Sequence, residues 1–83
     1  MAHRIARAFI DQLRAEIESS TYGSIKRFAT DTGRSYGSFR RYFLDEGDPD
    51  VRDPQLTIVW LAVADLGVSQ EDFLKRAMAR VQH

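Results

Sequence analysis

The sequence predicts an all-α protein, a compact bundle of about five short helices forming a single domain over residues 1–83. Apolar residues recur three and four positions apart in successive segments, the period of helices that each bury one side. Serines and glycines stand at the segment boundaries, where helices are capped and stopped. With 43% apolar and 11% aromatic residues, the chain belongs with folded proteins and not with disordered ones. A domain this small buries only about 60–65% of the surface its unfolded chain exposes, so its core is small.

Ile5, Phe9, Leu13 and Ile17 step by four and predict a first helix over residues 3–19, with Arg4, Arg7 and Arg14 off its apolar stripe. His3, near the frayed start, is expected to be an exposed bystander. Gly23 stops this helix, and Ser24 caps the next, its hydroxyl accepting an orphaned backbone N–H. Ile25, Phe28 and Ala29 give the second helix its apolar side, and Gly33 supplies a sharp turn. Ser35 caps a third helix, running to about residue 44, on which Phe39, Tyr42 and Phe43 share one face at i, i+3 and i+4.

Residues 45–53 read as a loop from their Gly, Pro and Asp content. Five acidic side chains there raise the question of calcium, but the spacing fails the EF-hand template and no closing Glu stands at position 12. Asp53 and Pro54 suit the cap and first position of a fourth helix. Leu56, Ile58, Val59, Trp60, Leu61, Ala62 and Val63 make that helix apolar nearly all round, which predicts the buried centre of the bundle with Trp60 in the core. Gly67 ends it, and Ser69 followed by Glu71 and Asp72 opens a fifth helix with a near capping box. Phe73, Leu74, Ala77, Met78 and Val81 line one side of that last helix. That stripe either closes the bundle or faces a second copy of the chain.

Several function classes are disfavoured. The chain has no cysteine, hence no disulfide scaffold or cysteine zinc site, and no metal or other cofactor is expected. It lacks an internal histidine, a glycine-rich phosphate loop after a strand, and paired carboxylates on one helix face, so no enzymatic activity is expected. No apolar run approaches a membrane span, and Arg4, Arg7 and Asp11 interrupt any signal-peptide core, so a cytoplasmic chain is expected.

The formal net charge is zero, yet the charge is unevenly placed. Residues 1–44 carry eight Lys/Arg against four Asp/Glu, and residues 45–83 carry four against eight. One basic face can therefore meet phosphate while the chain stays soluble. On the third helix, Gly37, Arg40, Arg41 and Leu44 point away from the aromatic face, with Tyr36 and Ser38 beside them. A helix so presented suits the DNA major groove, where the arginine fork matches the O6/N7 edge of guanine.

These residues resemble the Cro/CI-type, or XRE-like, helix-turn-helix proteins. The likeness lies in Phe28-Ala29, Gly33, the run Ser35-Tyr36-Gly37-Ser38-Phe39-Arg40-Arg41-Tyr42-Phe43-Leu44 with Gly47 after it, and Val63-Ala64-Asp65-Leu66-Gly67-Val68-Ser69. It spans roughly residues 21–76 and rests on order and spacing together, since no single position is diagnostic. The chain departs from the family in the loop, where Pro54 comes seven residues after Gly47 and the stretch between is acidic. The resemblance implies a lambda-repressor-like fold and a transcriptional regulator, a repressor of the sort phages and bacteria use, either Cro-like or the DNA-binding domain of a larger repressor. It also implies a bacterial or phage-infected cytoplasm as its setting.

Site roles follow from that reading. Tyr36, Gly37, Ser38, Arg40 and Arg41 are the candidates for base contacts, Arg41 foremost as a bidentate guanine reader. Ser24, Lys26, Arg27, Arg34 and Ser35 are the phosphate candidates, near two helix starts whose N–H groups attract anions. The expected partner is double-stranded DNA, with no small-molecule substrate. A single recognition helix discriminates weakly against roughly 10⁶ competing sites, so a homodimer on two half-sites is expected, with Phe73, Leu74, Ala77, Met78 and Val81 as the interface candidates. The alternative is a protein-interaction module on the same fold, binding a toxin or a polymerase subunit, which the neutral total charge and acidic loop favour.

Overall fold

A computed structural model describes residues 3–82, the side chain of His3 excepted, so the expectation for His3 lies outside the described residues. Among them the chain is entirely helical: α1 (His3–Ser19), α2 (Ile25–Asp31), α3 (Tyr36–Phe39) running directly into a 3₁₀ turn (Arg40–Phe43), α4 (Leu56–Leu66) and α5 (Gln70–Val81). The Cα radius of gyration is 12.0 Å, matching the roughly 12 Å of a compact chain of this length.

The centre of the bundle is α1. It packs on α2, the 3₁₀ turn, α4 and α5, and buries Phe9, Ile10, Leu13 and Ile17 among them. Phe28 and Ala29 from α2, Phe39 and Phe43 from the third segment, Val59, Ala62 and Val63 from α4, and Phe73 and Ala77 from α5 complete the core. Gln12 is the one buried polar side chain among the described residues, and both ends of its amide are satisfied. Its Nε2 donates to Glu16 Oε1 at 3.0 Å, and its Oε1 accepts from Arg80 Nε at 2.9 Å. Glu16 also receives the Arg76 guanidinium at 2.6 Å, so a polar seam ties α1 to α5 alongside the apolar one.

The apolar sequence of α4 suggests a central helix, and the structure corrects this. Val59, Ala62 and Val63 are fully buried, but Leu56 is 46% exposed and Leu61 63%. The central place goes to α1, the longest helix, which packs on α2, the 3₁₀ turn, α4 and α5, and so α4 lies at the edge with one side open. Trp60 lies half-buried, its ring 6.1 Å from Phe9 and 5.9 Å from Phe73 between centroids, so it seals the edge of the core. The start of α4 also lies later than expected. Gln55, extended at φ −84 and ψ 149 with no side-chain cap bond, holds the cap position, and Pro54 packs as a buried residue ahead of it. The helix stops at Gly67, whose φ of 71° is the left-handed cap open to glycine at no steric cost.

Candidate nucleic-acid interface

The segment of residues 24–44 is built as the serines, glycine and aromatics dictate. Ser24 Oγ accepts from Arg27 N at 3.1 Å and opens α2. Thr32 closes it, its hydroxyl donating to the Phe28 carbonyl at 2.6 Å. Gly33 then takes φ 77°, which reverses the chain, and Arg34 N bonds back to the Ala29 carbonyl at 2.8 Å. Ser35 opens α3, its Oγ accepting from Ser38 N at 3.5 Å. The aromatics hold the two pieces to the core, with Phe28 to Phe39 at 5.8 Å and Phe39 to Phe43 at 5.2 Å between centroids, while Tyr22 meets Phe28 edge-on at 5.0 Å.

The third segment is shorter and tighter than the ten-residue helix expected. Only Tyr36–Phe39 is α-helical, and Arg40–Phe43 winds as 3₁₀. The cause lies at its C-terminal end, where the orphaned carbonyls find partners outside the helix. Arg41 O accepts from Arg52 N at 3.0 Å, and Leu44 O accepts from Arg7 Nη1 at 2.9 Å. Phe43 O accepts from Arg14 Nη2, and the same guanidinium lies 5.6 Å from the Phe43 ring centroid. Arg7 and Arg14 stand two turns apart on one face of α1, so a pair of arginines that looks merely solvated in the sequence clamps the end of the presented segment. Arg4 acts likewise on α5, donating to Val81 O at 2.7 Å. The seven-residue spacing of Arg7 and Arg14 was the available signal, but sequence alone cannot say which carbonyls it reaches.

The predicted base-contact residues divide. Tyr36, Gly37, Ser38 and Arg40 are all exposed on the open side of the segment. The Arg40 side chain makes no hydrogen bond, ion pair or ring contact among the described residues. Arg41, the leading candidate from the sequence, is half-buried and turned onto the acidic loop, its Nε donating to Asp50 O at 3.0 Å. The loop is itself ordered by Asp48, whose Oδ1 accepts from Asp50 N at 2.8 Å, and this sets the Asp50 carbonyl against Arg41. The 3₁₀ winding turns Arg41 further round the axis than an α-helix would, which leaves Arg40 as the outward guanidinium.

The phosphate candidates divide as well. Ser24, Lys26, Arg27 and Ser35 are exposed, with the Lys26 ammonium 6.0 Å from the centre of the Tyr36 ring, joining α2 to α3 across the open face. Arg27 keeps a loose pair with Asp31 at 3.5 Å. Arg34 is the departure, because its guanidinium is drawn inward. It donates to Asp65 Oδ2 at 2.6 Å and to Thr32 Oγ1 at 2.7 Å, and lies 5.1 Å from the Phe28 ring and 5.7 Å from the Phe39 ring. It is a strut between α4 and the turn before α3, not a free cation.

Of the interface candidates on α5, Phe73 and Ala77 are fully buried inside the chain and have no surface for a partner. They close the bundle. Leu74 remains exposed, and Met78 and Val81 are half-buried. No helix among the described residues is long and apolar enough to cross a membrane. No family model, curated protein or solved structure matches the chain.

Proposed function

We propose that this chain binds double-stranded DNA sequence-specifically and regulates transcription, as a Cro-like repressor or the DNA-binding domain of a larger phage-type repressor in a bacterial or phage-infected cytoplasm. The helix-turn-helix over residues 24–44 docks with the exposed side of residues 36–43 in the major groove, in the manner of a lambda-repressor-like domain. One observation carries the reading. The Arg40 side chain, without a partner among the described residues, is exposed on the same aromatic-anchored segment as Tyr36 and Gly37, and Tyr36 in turn meets Lys26 of α2.

In this reading Arg40 takes the guanine-reading role, with Tyr36 and Ser38 flanking it and Gly37 permitting close approach. Ser24, Lys26, Arg27 and Ser35 hold phosphates; each serine uses its oxygen as a cap acceptor and keeps its hydroxyl proton to donate. Arg41 joins only by releasing the Asp50 carbonyl, and Arg34 only by releasing Asp65. Two copies on half-sites about one helical turn apart supply the selectivity that one short segment lacks.

Titration of mixed genomic duplex at low and moderate salt tests the reading. A steep fall in affinity with salt is expected, since each neutralised phosphate contributes about 0.9 to the slope of log K against log salt. Arg40→Ala should cost about 1–3 kcal/mol on the preferred sequence and flatten sequence preference, while Lys26→Ala should weaken all sequences and lower the slope by about one. Binding that ignores salt, or none at low salt, would refute the proposal. It would favour the second reading, a protein-interaction module, which the acidic loop folded against Arg41 supports.

A further inference from the structure

Residues 45–53 form a loop with order of its own, lying against the end of the presented segment. They carry five carboxylates against one arginine. Two turns shape them, Asp48 N donating to Asp45 O at 3.0 Å and Val51 N to Asp48 O at 3.1 Å. Asp48 Oδ1 also accepts from Asp50 N at 2.8 Å, the side-chain turn that aspartate favours. Two bonds then join the loop to the presented segment. Arg52 N donates to Arg41 O, and Arg41 Nε donates to Asp50 O, both at 3.0 Å. The first runs between backbones and needs no particular side chain. The second depends on where Asp48 sets the Asp50 carbonyl.

We infer that Asp48 is a positioning residue for DNA affinity: by ordering the loop it keeps Arg41 off the duplex, so that the loop competes with phosphate from within the chain. The inference deepens the DNA-binding reading and rests on it. A carbonyl oxygen and a phosphate oxygen offer a guanidinium the same kind of acceptor, and with Asp50 in place the Nε of Arg41 is already occupied. The surroundings oppose phosphate as well. Asp45, Glu46 and Asp50 are exposed. The Asp50 carboxylate belongs to the residue that holds Arg41, so it lies within about a Debye length, roughly 8–10 Å, of that guanidinium. Like charge at that range still acts on an approaching phosphate. Arg40, on the same segment, has no such tether, so the segment presents one arginine and withholds the next. Counterion release sets the size of the effect. At about 0.1 M salt, one added phosphate contact multiplies affinity about eightfold over its value at about 1 M.

Affinity for mixed genomic duplex between about 50 and 200 mM salt tests it, across the parent and a small set of variants. Asp48→Ala should bind about five- to tenfold tighter at the low-salt end, with a salt slope steeper by about 0.9. Asp48→Asn keeps an oxygen to accept from Asp50 N and removes only the charge, so it should gain about twofold and leave the slope near the parent's. Arg41→Ala should change the parent by less than about twofold, yet abolish the gain in the Asp48→Ala background, since the freed arginine carries that gain. Asp72→Asn, on a helix that packs on α1 and α4, changes net charge equally and should have no effect. The backbone bonds of the loop remain in every variant, so thermal melts should stay close to the parent's. The inference is overturned, with DNA binding left standing, by no gain from Asp48→Ala, by an equal gain from Asp72→Asn, or by Arg41→Ala costing the parent as much as it costs Asp48→Ala. No binding by either the parent or Asp48→Ala would overturn the proposed function and this inference with it.

Discussion

Removing the Arg34 side chain tests how the turn before α3 is tied to α4. Arg34→Ala deletes a pair to Asp65 at 2.6 Å, a bond to Thr32 Oγ1 at 2.7 Å, and the cover of a guanidinium over Phe28 and Phe39. The pair is partly open to water, with side chains 21% and 45% exposed, so it is worth only about 0.5–1 kcal/mol. The hydroxyl bond adds about 0.5–1.5 kcal/mol and the two ring contacts about 0.5–1 kcal/mol each. Allowing for overlap among groups that share one guanidinium, the loss should be about 2 kcal/mol, or roughly 8–16 °C in a domain this size. Urea denaturation of Arg34→Ala, Asp65→Ala and the double variant measures it. Asp65→Ala should cost about half as much, and the cycle should show coupling near 0.5–1 kcal/mol. If Arg34→Ala melts within a degree or two of the parent while its DNA salt slope drops by one, Arg34 is a phosphate contact after all and the strut assignment fails.

Further expectations attach to single positions. Gly37 is helical, and a methyl group added there meets nothing within 4 Å, so Gly37→Ala should raise stability by about 0.5–1 kcal/mol. The same change should weaken DNA binding if the backbone approaches the groove at that point, and a gain in melting temperature with unaltered affinity would remove Gly37 from the interface. Arg14→Met keeps the aliphatic stem but strips the donor from the Phe43 carbonyl; it should cost about 1–2 kcal/mol and speed hydrogen exchange of amides in residues 40–44. Asp48→Ala removes the acceptor that orders Asp50 and should free Arg41, which a shift of the Arg41 Nε–H resonance would report.

Much of the architecture follows from local rules. The first helix, the caps at Ser24, Ser35 and Ser69, and the positive-φ turns at Gly33 and Gly67 depend on a few adjacent residues, and each stands where its chemistry calls for it. The inward sides of Phe28, Phe39 and Phe43 are equally legible, because periodicity alone assigns an apolar face.

Tertiary structure decided where long polar side chains end and which apolar faces stay open. An arginine side chain is long and ends in five donors, so Arg7, Arg14, Arg34 and Arg41 could each have met water, phosphate or a carbonyl. Each found an oxygen on a distant stretch of the chain: the end of the third segment, α4 or the acidic loop. The apolar run of α4 fixes a helix, but whether that helix is enclosed depends on how many others surround it. Sequence by itself determined the order of the helical segments, the caps and stops at serine and glycine, and the basic first half. Only packing could show that Arg40 and not Arg41 faces outward and that Leu61 lies in the open, because both depend on oxygen atoms and helices far away along the chain.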